Sequence, residues 1–338
     1  MAQDVIAPLP ELPEWAATHI NLASPRLGAE AAACTDDFFA PMDRMLQDAP
    51  PIWRPEEFDD NGKWMDGWES RRRRDSGHDW CVLKLGGKGS IHGVDIDTSF
   101  FTGNYPRAAS VWAVYSEAPP TESSAWTEII PSTTLGPDAH HFVEARNPGL
   151  YNWVRLNIFP DGGVARLRVY GNPAPSWEGS DREGIVELSA LRNGGRVLGW
   201  NDAHYGDVWA VLSEGRGRNQ ADGWETRRRR EPGYDWLIVQ LGAPGIVERI
   251  EVDTANFKGN FPDRCSIQAA DVGWGTDQSV VTQSMFWPRL MAEQKLGPDK
   301  IHVFGKEHLE TLGPVTHIKL NIHPDGGISR IRVFGRRT

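Results

Sequence analysis

The chain repeats itself, and this duplication limits the possible folds more than any other feature of the sequence. The segment from Asp66 to Pro106 aligns without a gap to the segment from Asp222 to Pro262. Further blocks recur in the same order: "LGPDAHHFVE" with "LGPDKIHVFG", and "VRLNIFPDGGVARLRVYG" with "IKLNIHPDGGISRIRVFG". A fainter pair, "NLASPRLG" and "ELSALRNG", precedes them. Because the repeated segment has the usual size of a domain, the sequence predicts two copies of one domain and not a short-period solenoid.

The boundaries of the two copies follow from the repeated blocks and from composition. We predict an N-terminal extension over residues 1–20, a first repeat over 21–171 and a second repeat over 185–338. The intervening stretch, 172–184, is rich in Gly, Pro, Ser and charged residues, which is typical of a linker.

Strand patterns dominate each repeat. One run places Ile318, Leu320 and Ile322 on one face and Lys319, Asn321 and His323 on the other. The next run places Ile331 and Val333 inward and Arg330 and Arg332 outward. Turn residues separate the runs at short intervals, which predicts an all-β fold, an antiparallel β-sandwich. One short helix is expected around residues 36–47, with Asp36 or Asp37 as its cap.

Charge and cysteine content exclude several classes of function. The net charge is −10, so neither a nucleic acid nor an anionic membrane is expected as the main partner, despite two runs of four arginines. The three cysteines are widely spaced, form no zinc pattern and predict no disulfide framework. The first residues contain neither a signal peptide nor a long apolar run, which favours a cytoplasmic protein.

Five blocks in this order resemble one enzyme family. The blocks "DGWESRRRR", "GHDWCVLKLG", "DTSFFTGNYP", "LGPD" and "LNIFPDGGVARLRVYG", with their copies, are similar to those of allantoicases. The resemblance implies two tandem jelly-roll domains of the discoidin or galactose-binding type. It also implies hydrolysis of allantoate to ureidoglycolate and urea in purine degradation, in the cytoplasm, by an enzyme that is often a homo-oligomer.

The arginine runs suit the carboxylate of such a substrate, because a guanidinium makes two parallel, charge-assisted hydrogen bonds to it. In an extended chain, alternate side chains face opposite ways. One pair of each run would reach a cleft while the other meets acids such as Glu69 or Asp75 in the first run. The candidates for substrate binding are Arg72, Arg74, Arg228 and Arg230. The alternative is that all of the arginines are solvated or form structural ion pairs.

Proton transfer requires a carboxyl or imidazole group near the leaving nitrogen. The candidates that recur in both repeats are Glu69 and Glu225 and, in the "LGPD" blocks, His141 and His302. The alternative for the histidines is a structural role. The loops after the long strands contribute further substrate-binding candidates: Asp97, Asp253, Asn104 and Asn260. The alternative for Asp97 is that it caps its loop, and the "PDGG" segments are expected to be turns in which Asp binds its own backbone.

The number of sites, the metal requirement and the type of function stay open at this point. His78 is matched by Tyr234 and His204 by Phe38, so either one half uses these histidines or one site combines both halves. No cofactor is certain; a divalent metal is conceivable, but Asp202 and His204 form only a partial ligand set. The alternatives to an allantoicase are a non-catalytic tandem binding module and a hydrolase of a related ureido acid such as ureidoglycolate.

Overall fold

The computed structural model describes residues 3–147, 149–175 and 184–338. They divide into two compact units, unit 1 up to Ala174 and unit 2 from Pro175 onward. Most of the predicted linker, residues 176–183, lies outside the described residues.

Unit 1 contains one short α-helix and fourteen strands among its described residues. The helix is α1 (Glu14–Ala17). The strands are β1 (Val5–Ile6), β2 (Ile20–Asn21), β3 (Glu30–Cys34), β4 (Ile52–Trp53), β5 (Phe58–Asp59), β6 (Gly62–Lys63), β7 (Trp68–Glu69), β8 (Asp79–Asp97), β9 (Ala108–Val114), β10 (Thr127–Thr134), β11 (His140–Glu144), β12 (Leu150–Phe159), β13 (Gly163–Val164) and β14 (Arg166–Pro173).

Unit 2 repeats this order with fewer short strands and one longer helix. The helix is α2 (Asp277–Gln283). The strands are β15 (Val186–Glu187), β16 (Arg196–Trp200), β17 (Tyr205–Gly206), β18 (Trp224–Glu225), β19 (Asp235–Asp253), β20 (Arg264–Ala270), β21 (Arg289–Lys295), β22 (Ile301–Phe304), β23 (Val315–His323), β24 (Gly327–Ile328) and β25 (Arg330–Arg337).

One 19-residue strand in each unit joins the two layers of the sandwich. In unit 1, residues 79–84 of β8 pair with β3 and β12, whereas residues 93–97 pair with β11 and β14. Gly86, Gly87 and Gly89 lie between these halves, where register shifts let the strand pass from one layer to the other. In unit 2, β19 pairs in the same way with β16 and β23, then with β22 and β25. The predicted all-β sandwich is confirmed.

The core reaches the loops at one end of each sandwich. Trp68 and Trp224 are fully buried. Their indole N–H groups donate to the carbonyl oxygens of Asp36 and Asp202, each at 2.8 Å. A buried tryptophan therefore fixes the loop that carries each of these aspartates.

The predicted outward side of two strands is wrong at several positions. Arg330 is only 2% exposed and pairs with Asp222 at 3.2 Å; Arg166 of unit 1 is completely buried and pairs with Asp66 at 2.8 Å. Lys319 is also buried, at 4% exposure, because its sheet face is covered by a cluster that includes Val280 of α2. A period-2 pattern shows which residues share a face of a strand, but it does not show what packs against the more polar face.

The expected helix near residue 40 is shorter than predicted and is not capped by an aspartate. A 3₁₀ helix spans Met42–Leu46, and its N-cap, Pro41, offers no side-chain bond. Asp36 instead binds the arginine run, as described below. None of the described helices is both long and apolar enough to span a membrane.

Candidate active site

A cleft lies at one end of unit 2, between the arginine run and two loops. It has a volume of about 410 Å³. Its walls include the GN loop (residues 259–262) and the PDGG loop (residues 324–327), and it is lined by Glu225, Thr226, Arg228, Gly259, Asn260, Phe261, Asp263, Pro324, Asp325 and Gly326. The sequence predicted a substrate-binding candidate, Asn260, in the first of these loops and a turn in the second. The corresponding loops of unit 1 are residues 103–106 and 160–163.

Backbone hydrogen bonds tie the two loops together in both units. The N–H of Gly163 donates to the carbonyl of Asn104, and that of Gly327 donates to the carbonyl of Asn260, each at 2.8 Å. The φ angle of Gly162 is 138°, and a Cβ atom there would lie 2.7 Å from the Asn104 carbonyl. Only glycine fits this position, so the loops form a rigid frame.

A glutamate and an asparagine meet in this frame. Nδ2 of Asn104 donates to Oε1 of Glu69 at 2.6 Å, and Asn260 donates to Oε1 of Glu225 in the same way. Burial raises the pKa of Glu69; the bond from Asn104 opposes this shift, and Asp59 adds to it. Glu69 therefore keeps its proton to a higher pH than an ordinary glutamate, as a general acid must.

Alternate backbone N–H groups of the first arginine run are held by two carboxylates. The N–H of Arg71 donates to Asp36 at 2.8 Å, and the N–H of Arg73 donates to Asp161 at 2.9 Å. Asp161 therefore binds the arginine run. Unit 2 repeats both bonds, from Arg227 to Asp202 at 2.7 Å and from Arg229 to Asp325 at 2.9 Å. The run is extended without belonging to a strand.

The side chains of the first and third arginines are committed to acids. Arg71 pairs with Asp36 at 2.6 Å, and Arg227 pairs with Asp202 at 2.7 Å. Burial pushes the pKa of Asp36 up, but the hydrogen bonds from Arg71 outweigh it, and the pKa lies below its usual range.

The third arginine of each run pairs with a more deeply buried acid. Arg73 pairs with Asp79 at 2.6 Å, and Arg229 pairs with Asp235 at 2.6 Å. Both aspartates are at most 2% exposed. These pairs stabilise the loop end of the long strands.

The second and fourth arginines, Arg72, Arg74, Arg228 and Arg230, are exposed. Within the part of the chain that the structure describes, their side chains form no ion pair. Arg228 lines the cleft of unit 2 beside Glu225. The alternation expected from an extended chain thus separates paired arginines from free ones, and it leaves a free guanidinium at the cleft.

The two candidate histidines are held by backbone atoms at both ring nitrogens. Nε2 of His141 accepts from the N–H of Gly136 at 2.8 Å, while Nδ1 lies 2.8 Å from the Ile96 carbonyl. His302 makes the same pair of bonds, to Gly297 at 2.8 Å and Val252 at 3.1 Å. Burial lowers the pKa of His302. An acceptor Nε2 and a donor Nδ1 fix one neutral tautomer and leave neither nitrogen free for a substrate.

Asp97 and Asp253 cap the loops that follow the long strands. Oδ1 of Asp97 accepts from the N–H of Ser99, and Oδ1 of Asp253 accepts from the N–H of Ala255, each at 2.8 Å. Burial raises the pKa of Asp97. Asp253 lines a separate cavity of about 80 Å³ together with Arg216 and Arg330. The structure therefore does not bring this aspartate to the cleft of Glu225.

His78 and Tyr234 occupy matching positions in the two units, and each packs against an aromatic ring of its own unit. The ring of His78 lies 4.8 Å from that of Phe159, and the ring of Tyr234 lies 5.0 Å from that of His323. Each unit thus has one histidine and one other aromatic ring here, with the places exchanged. The mismatch seen in the sequence preserves a packing pair.

The partial metal set does not fit an ion. Both carboxylate oxygens of Asp202 accept hydrogen bonds from Arg227, and His204 is exposed. Over residues 3–147, 149–175 and 184–338, no group of three or more His, Cys, Asp or Glu residues could hold a metal ion.

Sequence reasoning named Asp75, which pairs with Arg73 at 2.8 Å, but it did not identify the other partners of the arginine runs. Asp36 and Asp202 occupy matching places in "TDDFF" and "NDAHY", so the faint first block contained the signal. Ser70 and Thr226 were missed as well. Their hydroxyl groups accept from the N–H groups of Gly162 at 3.2 Å and Gly326 at 3.1 Å.

Comparison with known proteins gives one consistent result. A family model, the allantoicase repeat, matches residues 20–174 and 186–338. "Probable allantoicase 1" of Burkholderia mallei is 57% identical, over 96% of this chain and 97% of its own. "Probable allantoicase" of Photobacterium profundum is 56% identical, over 94% of this chain and 96% of its own. The crystal structure of allantoicase from Saccharomyces cerevisiae is 34% identical, with a TM-score of 0.80, and the match covers 94% of this chain and 92% of that chain.

Proposed function

Because this chain belongs to the allantoicase family, we propose that it hydrolyses allantoate to ureidoglycolate and urea at the clefts that contain Glu69 and Glu225. The observation that carries this assignment of the site is the hydrogen-bonded Glu–Asn pair beside an unpaired arginine, built twice on the same frame.

The reaction exchanges one bond at the central carbon of allantoate. The bond from this carbon to one ureido nitrogen breaks, and the bonding electrons leave with that nitrogen. The nitrogen takes a proton and departs as urea. Water supplies a hydroxyl group to the central carbon, and its second proton returns to the enzyme, so atoms and charge balance.

Arg72 and Arg228 bind the substrate carboxylate. Arg228 lines its cleft, and Arg72 holds the same place in unit 1. A guanidinium without a protein acid can offer both of its parallel donors to the ligand. Arg74 and Arg230 follow Arg72 and Arg228 two positions later and are exposed as well. They contribute positive potential that attracts an anionic substrate.

Glu69 and Glu225 transfer the proton to the leaving nitrogen. Asn104 and Asn260 hold Oε1 of each glutamate and leave Oε2 to carry the proton. Burial raises the pKa of Glu69, and this is the direction that favours a proton donor. After urea departs, the ionised glutamate accepts a proton from the attacking water.

The remaining candidates support the site without touching substrate. His141 and His302 hold the "LGPD" turns through two backbone bonds each. Asp97 and Asp253 cap the following loops. A cytoplasmic location and a homo-oligomeric state, both implied by the resemblance, remain part of the proposal.

The direct test is urea release by the purified protein from allantoate, with ureidoglycolate as a parallel substrate. We expect stoichiometric urea from allantoate, and a much lower rate from ureidoglycolate. Binding of allantoate without urea release, with and without added Mn²⁺ or Mg²⁺, would contradict the proposal and favour a binding module. Faster release from ureidoglycolate would assign the site to that substrate instead.

A further inference from the structure

The loops that frame the cleft of unit 2 and the matching loops of unit 1 differ in charge at one position. Arg107 follows the GN loop of unit 1, and Asp263 follows that of unit 2. The carbonyl of Arg107 accepts from the N–H of Leu135, and that of Asp263 accepts from the N–H of Leu296, each at 3.0 Å. The two residues are therefore structurally equivalent although their charges are opposite.

In unit 2 this position belongs to a neutral network. Asp263 lines the cleft and pairs with Arg264 at 2.9 Å and with Lys295. Arg264 also pairs with Glu293 at 2.8 Å. The two acids and two bases cancel, so the mouth of this cleft gains no net charge from them.

In unit 1 the network is absent and a single cation remains. The equivalent positions hold Ala108, Ser132 and Thr134, none of which is charged. Arg107 is exposed, and among the described residues its side chain has no ion-pair partner. At the position of unit 1 that matches Asp263, the rim of the loops therefore carries one uncompensated positive charge that the cleft of unit 2 lacks.

We propose that Arg107 is a substrate-binding residue that binds the carboxylate of allantoate together with Arg72, so that the site of unit 1 binds allantoate more tightly than the site of unit 2. The inference rests on the proposed function, and it says which of the two sites binds allantoate more tightly. Two guanidinium groups can share one carboxylate, because each of its oxygens accepts two hydrogen bonds. The second cation strengthens binding in the ground state and in the transition state alike, which changes KM more than kcat.

The test compares Arg107→Asp, which gives unit 1 the residue of unit 2, with Arg107→Lys and a control. The control is Arg146→Ala, which removes another exposed arginine of unit 1. We expect Arg107→Asp to raise KM for allantoate by about tenfold, with kcat changed by less than about twofold. Arg107→Lys should recover part of the loss, because it keeps the charge. Arg146→Ala should have the wild-type KM.

Salt provides a second measurement. We expect the KM of the wild type to rise more steeply with NaCl concentration than that of Arg107→Asp, because salt screens the exposed charge. Wild-type KM and salt dependence in Arg107→Asp would overturn the inference and leave the proposed function intact. A wild-type protein that releases no urea from allantoate would overturn both.

Discussion

Neighbouring arginines in the run from Arg71 to Arg74 differ in what their side chains contact. Arg71 and Arg73 are bound to Asp36 and Asp79, whereas Arg72 is free to bind a ligand. All of these residues are arginines, so the acidic side chains nearby in the protein decide whether each one stabilises the fold or binds a ligand. Carboxylates of the protein already bind the guanidinium groups of Arg71 and Arg73. The guanidinium of Arg72 can bind the carboxylate of the substrate.

We predict that Arg72→Ala lowers kcat/KM for allantoate by about 10- to 100-fold, because it removes charge-assisted hydrogen bonds to the substrate. Its thermal unfolding midpoint should match the wild type. Arg73→Ala is the matched variant one position away. It leaves Asp79, 1% exposed, without its ion pair and should destabilise unit 1 by about 3 kcal/mol.

Steady-state kinetics and thermal unfolding of the two variants separate the roles. If Arg72→Ala lost stability while keeping its activity, the assignment of the free arginines to substrate would be wrong.

At the residue scale, the sequence predicted the alternation of the arginines and the neighbouring partner Asp75, which pairs with Arg73 at 2.8 Å, but not the distant partners. Alternation follows from the period of an extended chain. The partners depend on tertiary contacts: Asp36 reaches Arg71 from 35 positions away, and Asp161 reaches Arg73 from 88 positions away. The same limit explains why Arg330 was expected outside, since its buried partner Asp222 lies 108 positions earlier.

At the element scale, the PDGG loop is the part of the frame that tolerates least change. We predict that Gly162→Ala destabilises unit 1 by about 1–3 kcal/mol and lowers activity, because a side chain at this φ is strained and meets the Asn104 carbonyl. Gly103→Ala is the control, since a Cβ atom there meets nothing within 4 Å.

Thermal unfolding midpoints and urea release measure both effects. Equal midpoints for the two glycine variants would show that the tie between the loops is not needed for the frame.

The strands were predictable because their apolar residues alternate; β23 and β25 form where the pattern placed them, although Lys319 and Arg330 on their predicted outward faces are buried. The way in which the helix expected around residues 36–47 begins was not predictable. An aspartate before a helical pattern usually serves as its cap. Here the helix begins only at Met42, and the carboxylate of Asp36 forms an ion pair with Arg71 and accepts hydrogen bonds from the N–H groups of Phe38 and Arg71.

On the scale of the whole molecule, the duplication preserves the frame of the cleft and varies its rim. Both units keep the Glu–Asn hydrogen bond, the tie between the loops and the aspartates that hold the arginine run. The rim differs at Arg107 and Asp263, directly after the longest gapless block of the repeat. The sequence therefore contained the difference, but its place at the mouth of a cleft required the structure.

The most direct measurement of the central claim is urea release from allantoate by Glu69→Gln, Glu225→Gln and the double variant. Glutamine keeps the size of the side chain and a hydrogen-bonding oxygen but cannot transfer the proton. We expect the double variant to lose at least about 100-fold in kcat at an unchanged unfolding midpoint, with Glu69→Gln accounting for the larger share at low substrate concentration. A double variant with the wild-type kcat would contradict the assignment of these glutamates, and with it the location of the active site.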